Sequence, residues 1–190
     1  GKNISFQDLE KDYDAILIAT GVYKARQLDI DTSSINNSIP ALDFLIESNR
    51  TGLGDSPSKN KYLTAKDKHV VVIGGGDTAM DCVRTAIRQQ AKEVTCLYRR
   101  NKENMPGSAR EVLNAEQEGI KFNWLSVPSK IISDNSTATS MTYKVAALGE
   151  VDESGRRKPV ETGVEKQIKS DLIIQALGFE PEDLNHNFNT

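Results

Sequence analysis

The sequence of 190 residues predicts an α/β fold, in which a parallel sheet with a βαβαβ core is followed by a three-stranded antiparallel meander. The β-branched run at residues 70–73 is typical of a strand that is covered on both faces. Apolar residues at steps of three and four follow it, and they predict a helix with one face against the sheet. Short polar turns between the later strand patterns favour antiparallel pairing.

The segment before this core contains two helix patterns and one strand pattern. Residues 6–11 predict a short acidic helix that Ser5 caps. Residues 14–20 predict a buried strand. The helix pattern at 40–47 begins with a proline, which is favoured at helix starts. Residues 48–68 are rich in Gly, Ser, Asn and Lys, and they predict a mobile linker.

From residue 69 onward, strand and helix patterns alternate. The predicted core strands lie at 69–73, 93–98 and 121–127, and the helices between them lie at 77–90 and after Ser108. Ser108 and Glu111 fit a capping box for the second helix, and Gly119 suits its C-terminal cap. The predicted meander strands lie at 130–133, 140–148 and 160–169, and a last buried strand lies at 171–177.

A glycine turn joins the first core strand to the first core helix. It carries the pattern Gly74-x-Gly76-x-x-Ala79, which in this context is typical of dinucleotide binding. Gly74 permits the tight turn, Gly76 lets backbone approach a pyrophosphate, and Ala79 lets the helix pack close to the strand. The helix N-terminus then offers N–H groups to the phosphates. The alternative is a tight turn that binds no ligand.

Two residues inside this turn have open roles. A carboxylate at Asp77 would repel a diphosphate, so it either points away and caps the helix or holds a neighbouring loop by hydrogen bonds. Thr78 either donates its hydroxyl to a phosphate or simply occupies the first helical turn.

The second core strand ends in Arg99 and Arg100. They follow Gly76 by about 20 residues, where a dinucleotide fold contacts the adenosine ribose. An acidic residue there would favour NAD, whereas arginine pairs with a 2′-phosphate, so the sequence favours NADPH. The alternative is a solvated charge pair.

Composition argues against several other functions. The net charge of −3 gives no whole-chain reason to bind nucleic acid, and the apolar runs are too short to span a bilayer. We see no leader pattern and expect a cytoplasmic protein. Cys82 and Cys96 have no metal-site spacing and predict two buried, reduced thiols.

The sequence resembles one enzyme family in particular, the small (beta) subunit of NADPH-dependent glutamate synthase and its relatives. The resemblance is carried by GGGDTAMDCVRTAIRQQ, by YRRNKENMPGS and by the paired phrases YDAILIATG and DLIIQALGFEPEDL. It implies the Rossmann-like NAD(P)H domain of the pyridine nucleotide-disulfide oxidoreductase type.

The resemblance also implies cofactors and partners. In that family an NADPH domain is inserted in an FAD domain, and an N-terminal region carries iron–sulfur clusters. NADPH passes a hydride to FAD, and electrons reach the large subunit, where glutamine-derived ammonia and 2-oxoglutarate become glutamate. The partners implied are therefore the chain's own FAD domain and the large subunit.

Site residues follow from the same match. The resemblance implies that the pyrophosphate is held by Gly74, Gly75, Gly76, Asp77, Thr78 and Ala79. It implies that Arg99 and Arg100 hold the 2′-phosphate, and that Ala176, Leu177 and Gly178 line the nicotinamide end. The family often has a basic residue where Ala109 stands beside Arg110, which leaves any phosphate role of Arg110 open.

We therefore expect a fragment of an NADPH-dependent oxidoreductase that is inactive alone. The expected parts are an entry strand from the FAD domain at 1–21, a helix and linker at 22–68, the NADPH domain at 69–178 and an exit segment at 179–190. We expect no catalytic side chain and no metal, because hydride transfer needs mainly positioning by the protein. The alternatives are a non-catalytic nucleotide-binding or docking module, and a paralogous subunit that serves another acceptor.

Overall fold

The computed structural model describes residues 3–56, 60–152 and 155–181. The chain divides into two compact units. The smaller unit consists of Gly1–Arg26 and Phe179–Thr190, and the larger unit is Gln27–Gly178.

The described part of the smaller unit contains one helix and one short strand pair. Helix α1 (Phe6–Asp12) begins with a capping box, in which the Ser5 hydroxyl accepts from the Asp8 N–H and the Asp8 carboxylate accepts from the Ser5 N–H. Strand β1 (Lys24–Ala25) pairs antiparallel with β10 (Phe179–Glu180). The predicted Ser5 cap is confirmed.

The buried strand predicted at residues 14–20 is wrong for this structure. These residues form no strand, and Leu17 is 90% exposed. A strand needs a hydrogen-bonding neighbour, and within the described part of the smaller unit β1 and β10 pair only with each other. The segment therefore has the composition of a buried strand without a sheet to join.

The larger unit is built on a five-stranded parallel sheet in the order β2-β9-β3-β4-β5. Its strands are β2 (Ser38–Pro40), β3 (His69–Ile73), β4 (Glu93–Leu97), β5 (Lys121–Asn123) and β9 (Leu172–Gln175). The connecting helices are α2 (Ala41–Gly52), α3 (Asp77–Arg88) and α4 (Ala109–Gln117). The βαβαβ core is confirmed.

An antiparallel sheet completes the larger unit. Its strands are β6 (Ser126–Asp134), β7 (Thr137–Val151) and β8 (Arg157–Lys169), and each pairs with the next. This confirms the predicted meander.

Successive residues of β3 point into two different cores. Val70 and Val72 belong to a cluster that includes residues of all three connecting helices, such as Met80. Val71 belongs to a second cluster with Met141 of β7. Because side chains alternate along a strand, the sheet is covered by helices on one face and by the antiparallel sheet on the other. Both faces of β3 are therefore buried, which explains why residues 70–73 are apolar without interruption.

Three predicted boundaries need correction. The strand predicted at 121–127 is two strands, because Leu125 has a φ of 54° and redirects the chain from one sheet to the other. The sequence did not predict strand β2. Pro40 is the last residue of β2 and the N-cap residue of α2, so it precedes the first turn of that helix. The linker predicted at 48–68 includes the end of α2 and a 3-10 helix at Lys61–Leu63, while 57–59 lie outside the described residues.

The ends of α4 give one confirmation and one correction. Gly119 has a φ of 90° and follows the C-cap, as predicted. Ser108 is the N-cap residue, but its side chain makes no capping hydrogen bond. The capping box with Glu111 is therefore wrong, and the reason lies in the candidate site.

Candidate nucleotide-binding site

The glycine turn lies at the carboxyl end of β3, where ligands bind parallel α/β sheets. The Gly74 N–H donates to the Leu97 carbonyl at 3.1 Å, which ties the turn to β4. Gly76 is the N-cap of α3 and supplies no capping side chain. The first turn of α3 therefore presents its N–H groups without a side-chain acceptor, and such a terminus attracts anions.

The three glycines of the turn meet different surroundings. A Cβ atom at Gly74 would overlap the Ala176 carbonyl, and the φ of 143° is itself unfavourable for other residues. A Cβ atom at Gly75 would overlap the Tyr98 ring. At Gly76 a Cβ atom would meet nothing within 4 Å. Packing within the protein explains the first two glycines, while Gly76 faces open space, as a residue that a phosphate approaches would.

A second loop is docked against the glycine turn. The Gly107 N–H donates to the Gly75 carbonyl at 2.9 Å, and the Ser108 N–H donates to Asp77 Oδ1 at 2.8 Å. Asp77 therefore holds the neighbouring loop, which selects one of the two roles left open by the sequence. Thr78 lies half-buried in the first turn of α3.

The same contacts explain why the capping box does not form. In a capping box the Glu111 carboxylate would accept a hydrogen bond from the Ser108 N–H. In the structure that N–H already donates to Asp77. Glu111 instead forms an ion pair with Arg84 of α3, and Arg84 Nε also donates to Glu118 Oε1 at 2.8 Å. Glu111 of α4 and Glu118, the C-cap residue that follows it, thus fasten α4 to α3.

Tyr98 forms the wall behind the glycine turn. Its ring is buried and meets the Trp124 ring edge-on, with centroids 6.4 Å apart. Its hydroxyl donates to the Asn104 carbonyl at 2.8 Å, which fixes the loop that returns to Gly107. One aromatic side chain therefore contacts both loops of the site.

The structure separates the roles of the two predicted phosphate ligands. Arg99 is exposed, and no described carboxylate pairs with it. Arg100 is only 3% exposed, and its guanidinium donates to Asp152 Oδ2 at 2.8 Å and to the Arg157 carbonyl at 2.7 Å. Arg99 is available to an incoming anion, whereas Arg100 is bonded to the protein itself.

The electrostatics at Arg99 fit an anion site. Although Arg99 is exposed, neighbouring protein atoms remove part of its hydration, which lowers its pKa, and the charge of Arg100 lowers that pKa further. An arginine pKa is nevertheless so high that the side chain stays charged at neutral pH. A crowded, charged guanidinium gains from a bound phosphate.

The residues predicted for the nicotinamide end lie at the carboxyl end of β9. The Ala176 N–H donates to the Ile73 carbonyl at 2.8 Å, which places Ala176 against Gly74. Leu177 packs instead against the cluster shared with the antiparallel sheet. Gly178 has a φ of 82° in open space, so glycine is there for its backbone conformation.

The cysteines confirm their predicted structural role. Both are buried and free. Burial raises the pKa of Cys82 well above its usual range and that of Cys96 to about 12, so both remain protonated. Cys96 Sγ donates to the Gly74 carbonyl at 3.3 Å and helps to hold the turn.

Two broader features concern the described residues as a whole. No helix among them is long and apolar enough to cross a membrane. They also contain no group of three or more His, Cys, Asp or Glu side chains that could hold a metal ion.

Some site residues were not found from the sequence. Tyr98, Gly107 and Asp152 shape the site through contacts with Gly75, Gly75 and Arg100, which lie 23, 32 and 52 positions away along the chain, beyond the reach of helix and strand periodicity. The one available signal was Gly107 in MPGS, which stands directly before a helix.

Comparison with known proteins agrees with this geometry. The model of the family described as pyridine nucleotide-disulphide oxidoreductase matches residues 5–188. A glutamate synthase [NADPH] small chain of Azospirillum brasilense is 49% identical over the whole chain, which covers 40% of that protein. A Geobacter sulfurreducens NADPH-Fe(3+) oxidoreductase subunit beta is 35% identical over 96% of the chain, which covers 26% of that protein.

A solved structure shares the fold. It is Mycobacterium tuberculosis FprA in complex with NADPH, which has a TM-score of 0.72 and 17% identity, with 95% of this chain and 53% of that chain covered. The chain spans less than half the length of each of the two curated relatives named above. The predicted resemblance to the glutamate synthase small chain is confirmed. By its glycine turn, its parallel sheet and the family match, this chain belongs to the pyridine nucleotide-disulphide oxidoreductase family.

Proposed function

We propose that this chain binds NADPH at the glycine turn and, within a longer protein, presents its nicotinamide to FAD. The observation that carries the proposal is the combination of a helix N-terminus at Gly76 that no side chain caps with an exposed arginine, Arg99, that pairs with no described carboxylate. Both lie at the carboxyl ends of adjacent parallel strands, β3 and β4. Together they offer one site for a pyrophosphate and one for a 2′-phosphate.

The pyrophosphate would lie over the first turn of α3. Gly76 leaves room for it, while Gly74 and Gly75 keep the turn tight against Ala176 and Tyr98. Backbone N–H groups and the helix dipole supply the attraction. Asp77 is directed to Ser108, so its carboxylate is engaged by the second loop.

The 2′-phosphate would pair with Arg99. A guanidinium forms two parallel hydrogen bonds with a phosphate, and NADH offers no such group. We assign Arg100 to the same subsite because it directly follows Arg99 in the chain. Its Nε and Nη2 groups are bonded to the Arg157 carbonyl and to Asp152.

The nicotinamide would then reach the end of β9. Ala176 and Gly178 are small, and the backbone at Gly178 turns with little bulk beside it. NADPH and FAD supply the hydride chemistry when bound. The chain orients the nicotinamide and keeps bulky side chains away from the end of β9. This role needs no acid or base from the protein.

We further propose that the electrons serve glutamate synthesis from glutamine and 2-oxoglutarate. The support is the similarity to a glutamate synthase [NADPH] small chain. On this proposal the longer protein contains FAD and iron–sulfur clusters and docks with a large subunit. The absence of a disulfide between two buried cysteines supports a reducing, cytoplasmic setting.

A second candidate is a paralogous electron-input subunit for another acceptor. The similarity to a subunit named NADPH-Fe(3+) oxidoreductase subunit beta favours it. Both candidates require NADPH at the same site, so nucleotide binding tests their shared part. A purely docking module would bind neither nucleotide.

The test is calorimetric titration of the chain with NADPH and with NADH. We expect NADPH to bind more tightly than NADH. We expect Arg99→Gln to lower the ratio of NADPH affinity to NADH affinity by about tenfold or more. Lys130→Gln, an exposed lysine on the antiparallel sheet, is the matched charge control. Equal affinity of the unmodified chain for the two nucleotides would overturn the assignment.

A further inference from the structure

The amide side chain of Gln175 ends β9, the strand next to the one that carries the glycine turn. The following inference rests on the proposed NADPH site and adds a residue to it. We propose that Gln175 accepts a hydrogen bond from the carboxamide of the nicotinamide, and that Ser38 and Thr32 hold the Gln175 amide in position for this contact.

The strand order of the parallel sheet indicates where each half of the nucleotide would lie. Strand β3 has β4 on one side and β9 on the other. With the pyrophosphate at the β3 turn and the adenosine ribose at Arg99, which follows β4, the other half of the nucleotide extends over the end of β9. Gln175 is the last residue of β9 and pairs in register with Ile73, which directly precedes Gly74. It therefore lies at the edge of the sheet that the nicotinamide would reach.

Gln175 is the polar residue of a strand that is otherwise apolar. The other residues of β9 are Leu172, Ile173 and Ile174, and all three are fully buried. Gln175 is only 9% exposed. Burial of an amide costs free energy unless the amide forms hydrogen bonds, so the hydrogen bonds of this side chain decide what it does there.

The nitrogen of the Gln175 amide is bonded within the protein. Nε2 donates to Ser38 Oγ at 3.0 Å and to Thr32 Oγ1 at 3.4 Å. Ser38 is the first residue of β2, which pairs with β9. Two acceptors on one side restrict a side chain that otherwise has many rotamers. The amide is therefore oriented before a ligand binds, which lowers the cost of binding.

The oxygen of the same amide has no described partner. Gln175 Oε1 accepts no hydrogen bond from the described residues, and it retains accessible surface. An amide oxygen accepts from N–H groups, and a primary carboxamide such as that of nicotinamide offers two of them. Gln175 thus presents one open acceptor at the end of β9, and the nicotinamide half supplies a matching donor.

The alternative is that Gln175 only ties the segment around Thr32 to the sheet. That role would contribute to stability without distinguishing between ligands. A contact with the carboxamide instead affects only those ligands that contain nicotinamide, so a pair of ligands separates the two roles.

The experiment measures by calorimetry the affinity of the chain for NADP+ and for 2′-phospho-ADP-ribose, which is NADP+ without its nicotinamide. Gln175→Leu removes the amide and keeps a similar volume. We expect this variant to bind NADP+ about fivefold more weakly, as for the loss of one hydrogen bond between uncharged groups, and to bind 2′-phospho-ADP-ribose as the unmodified chain does.

A matched control comes from the antiparallel sheet. Gln167 of β8 makes the same kind of hydrogen bond, from Nε2 to Ser140 Oγ at 2.7 Å. Gln167→Leu therefore removes a glutamine–serine hydrogen bond from the other sheet. We expect it to change both affinities by less than about twofold.

Ser38→Ala tests the positioning separately. It leaves the Gln175 amide in place but removes its nearer acceptor, so the amide must be ordered when the ligand binds. We expect NADP+ to bind about two- to threefold more weakly and 2′-phospho-ADP-ribose to bind unchanged. An unchanged NADP+ affinity in Ser38→Ala would overturn the positioning role.

The two proposals fail in different ways. If the unmodified chain binds neither ligand, the proposed function fails and this inference fails with it. If the unmodified chain binds both ligands and Gln175→Leu weakens neither, only the inference about Gln175 is overturned. An equal loss of affinity for both ligands in Gln175→Leu would also overturn it, because that pattern reports a purely structural role.

Discussion

Two adjacent glycines of the glycine turn are there for separate physical reasons. Gly75 avoids the Tyr98 ring, while Gly76 has an extended backbone with φ of −91° and open space where its side chain would be. Any residue can adopt that backbone. The free energy of unfolding should therefore depend on Gly75, and nucleotide affinity should depend on Gly76.

Alanine substitutions at the two positions test this division. Gly75→Ala is expected to lower the free energy of unfolding by about 1–3 kcal/mol, because its Cβ atom overlaps a buried ring. Gly76→Ala is expected to change stability by less than about 0.5 kcal/mol and to weaken NADPH binding at least tenfold. Urea denaturation and calorimetry provide the two readouts. Equal destabilisation by both variants would contradict the division.

Asp171 makes stability depend on pH. Burial would raise the pKa of Asp171, but hydrogen bonds from the His69 N–H and ring outweigh burial and lower that pKa below its usual value. A depressed carboxyl pKa contributes stability above the unfolded value, and that contribution is lost as pH falls through the folded value. We therefore expect unfolding to become easier as pH drops below about 4.

Denaturation of the chain across this pH range measures the effect. Asp171→Asn should be less stable than the unmodified chain at neutral pH, and its stability should change less below about pH 4. Asp134→Asn, on an exposed acid with no described ion pair, is the control. An unchanged acid response in Asp171→Asn would contradict the role of the His69 pair.

Among elements, those with strong local signals were predictable. Strand β3 and helix α3 carry a β-branched run and a helical stripe, and the structure confirms both. Strand β2 has three residues and includes a proline, so its own sequence cannot indicate a strand. Residues 14–20 show the converse, since an apolar pattern specifies a buried strand only where a sheet receives it.

A buried asparagine explains what holds β2 in place. Asn37 is fully buried, its Nδ2 donates to the carbonyls of Ala138 and Asp171, both at 2.9 Å, and its Oδ1 accepts from the Ala138 N–H at 2.7 Å. Asn37→Ala is expected to lower the free energy of unfolding by about 2–4 kcal/mol. The control, Asn49→Ala, removes an exposed amide from α2. Urea midpoints that agree between the two variants would contradict this account.

The second loop depends on Asp77 in the same way. Asp77→Ala removes the acceptor for the Ser108 N–H, so we expect that amide to exchange its hydrogen faster with solvent. Asp77→Asn keeps an oxygen in the same place and should retain most of the protection. Amide hydrogen exchange followed by NMR distinguishes the two variants. Equal protection of Ser108 in both would show that Asp77 does not hold the loop.

The whole molecule sets the limit on what the sequence could predict about function. Its βαβαβ core and its family follow from local patterns and a resemblance, and so does our proposal of a nucleotide site. The division between Arg99 and Arg100 does not, because it depends on a hairpin more than 50 residues further along the chain. Two arginines at the end of a strand predict that positive charge is present there. Tertiary contacts decide which of the two guanidinium groups can bind a phosphate.

The most direct measurement is an NMR titration of the isotopically labelled chain with NADP+ and, separately, with NAD+. The account predicts that both nucleotides shift the backbone amides of Gly76 and Thr78, while only NADP+ shifts the Arg99 side chain. Shifts that avoid the glycine turn, or an Arg99 response that is the same for the two nucleotides, would contradict it.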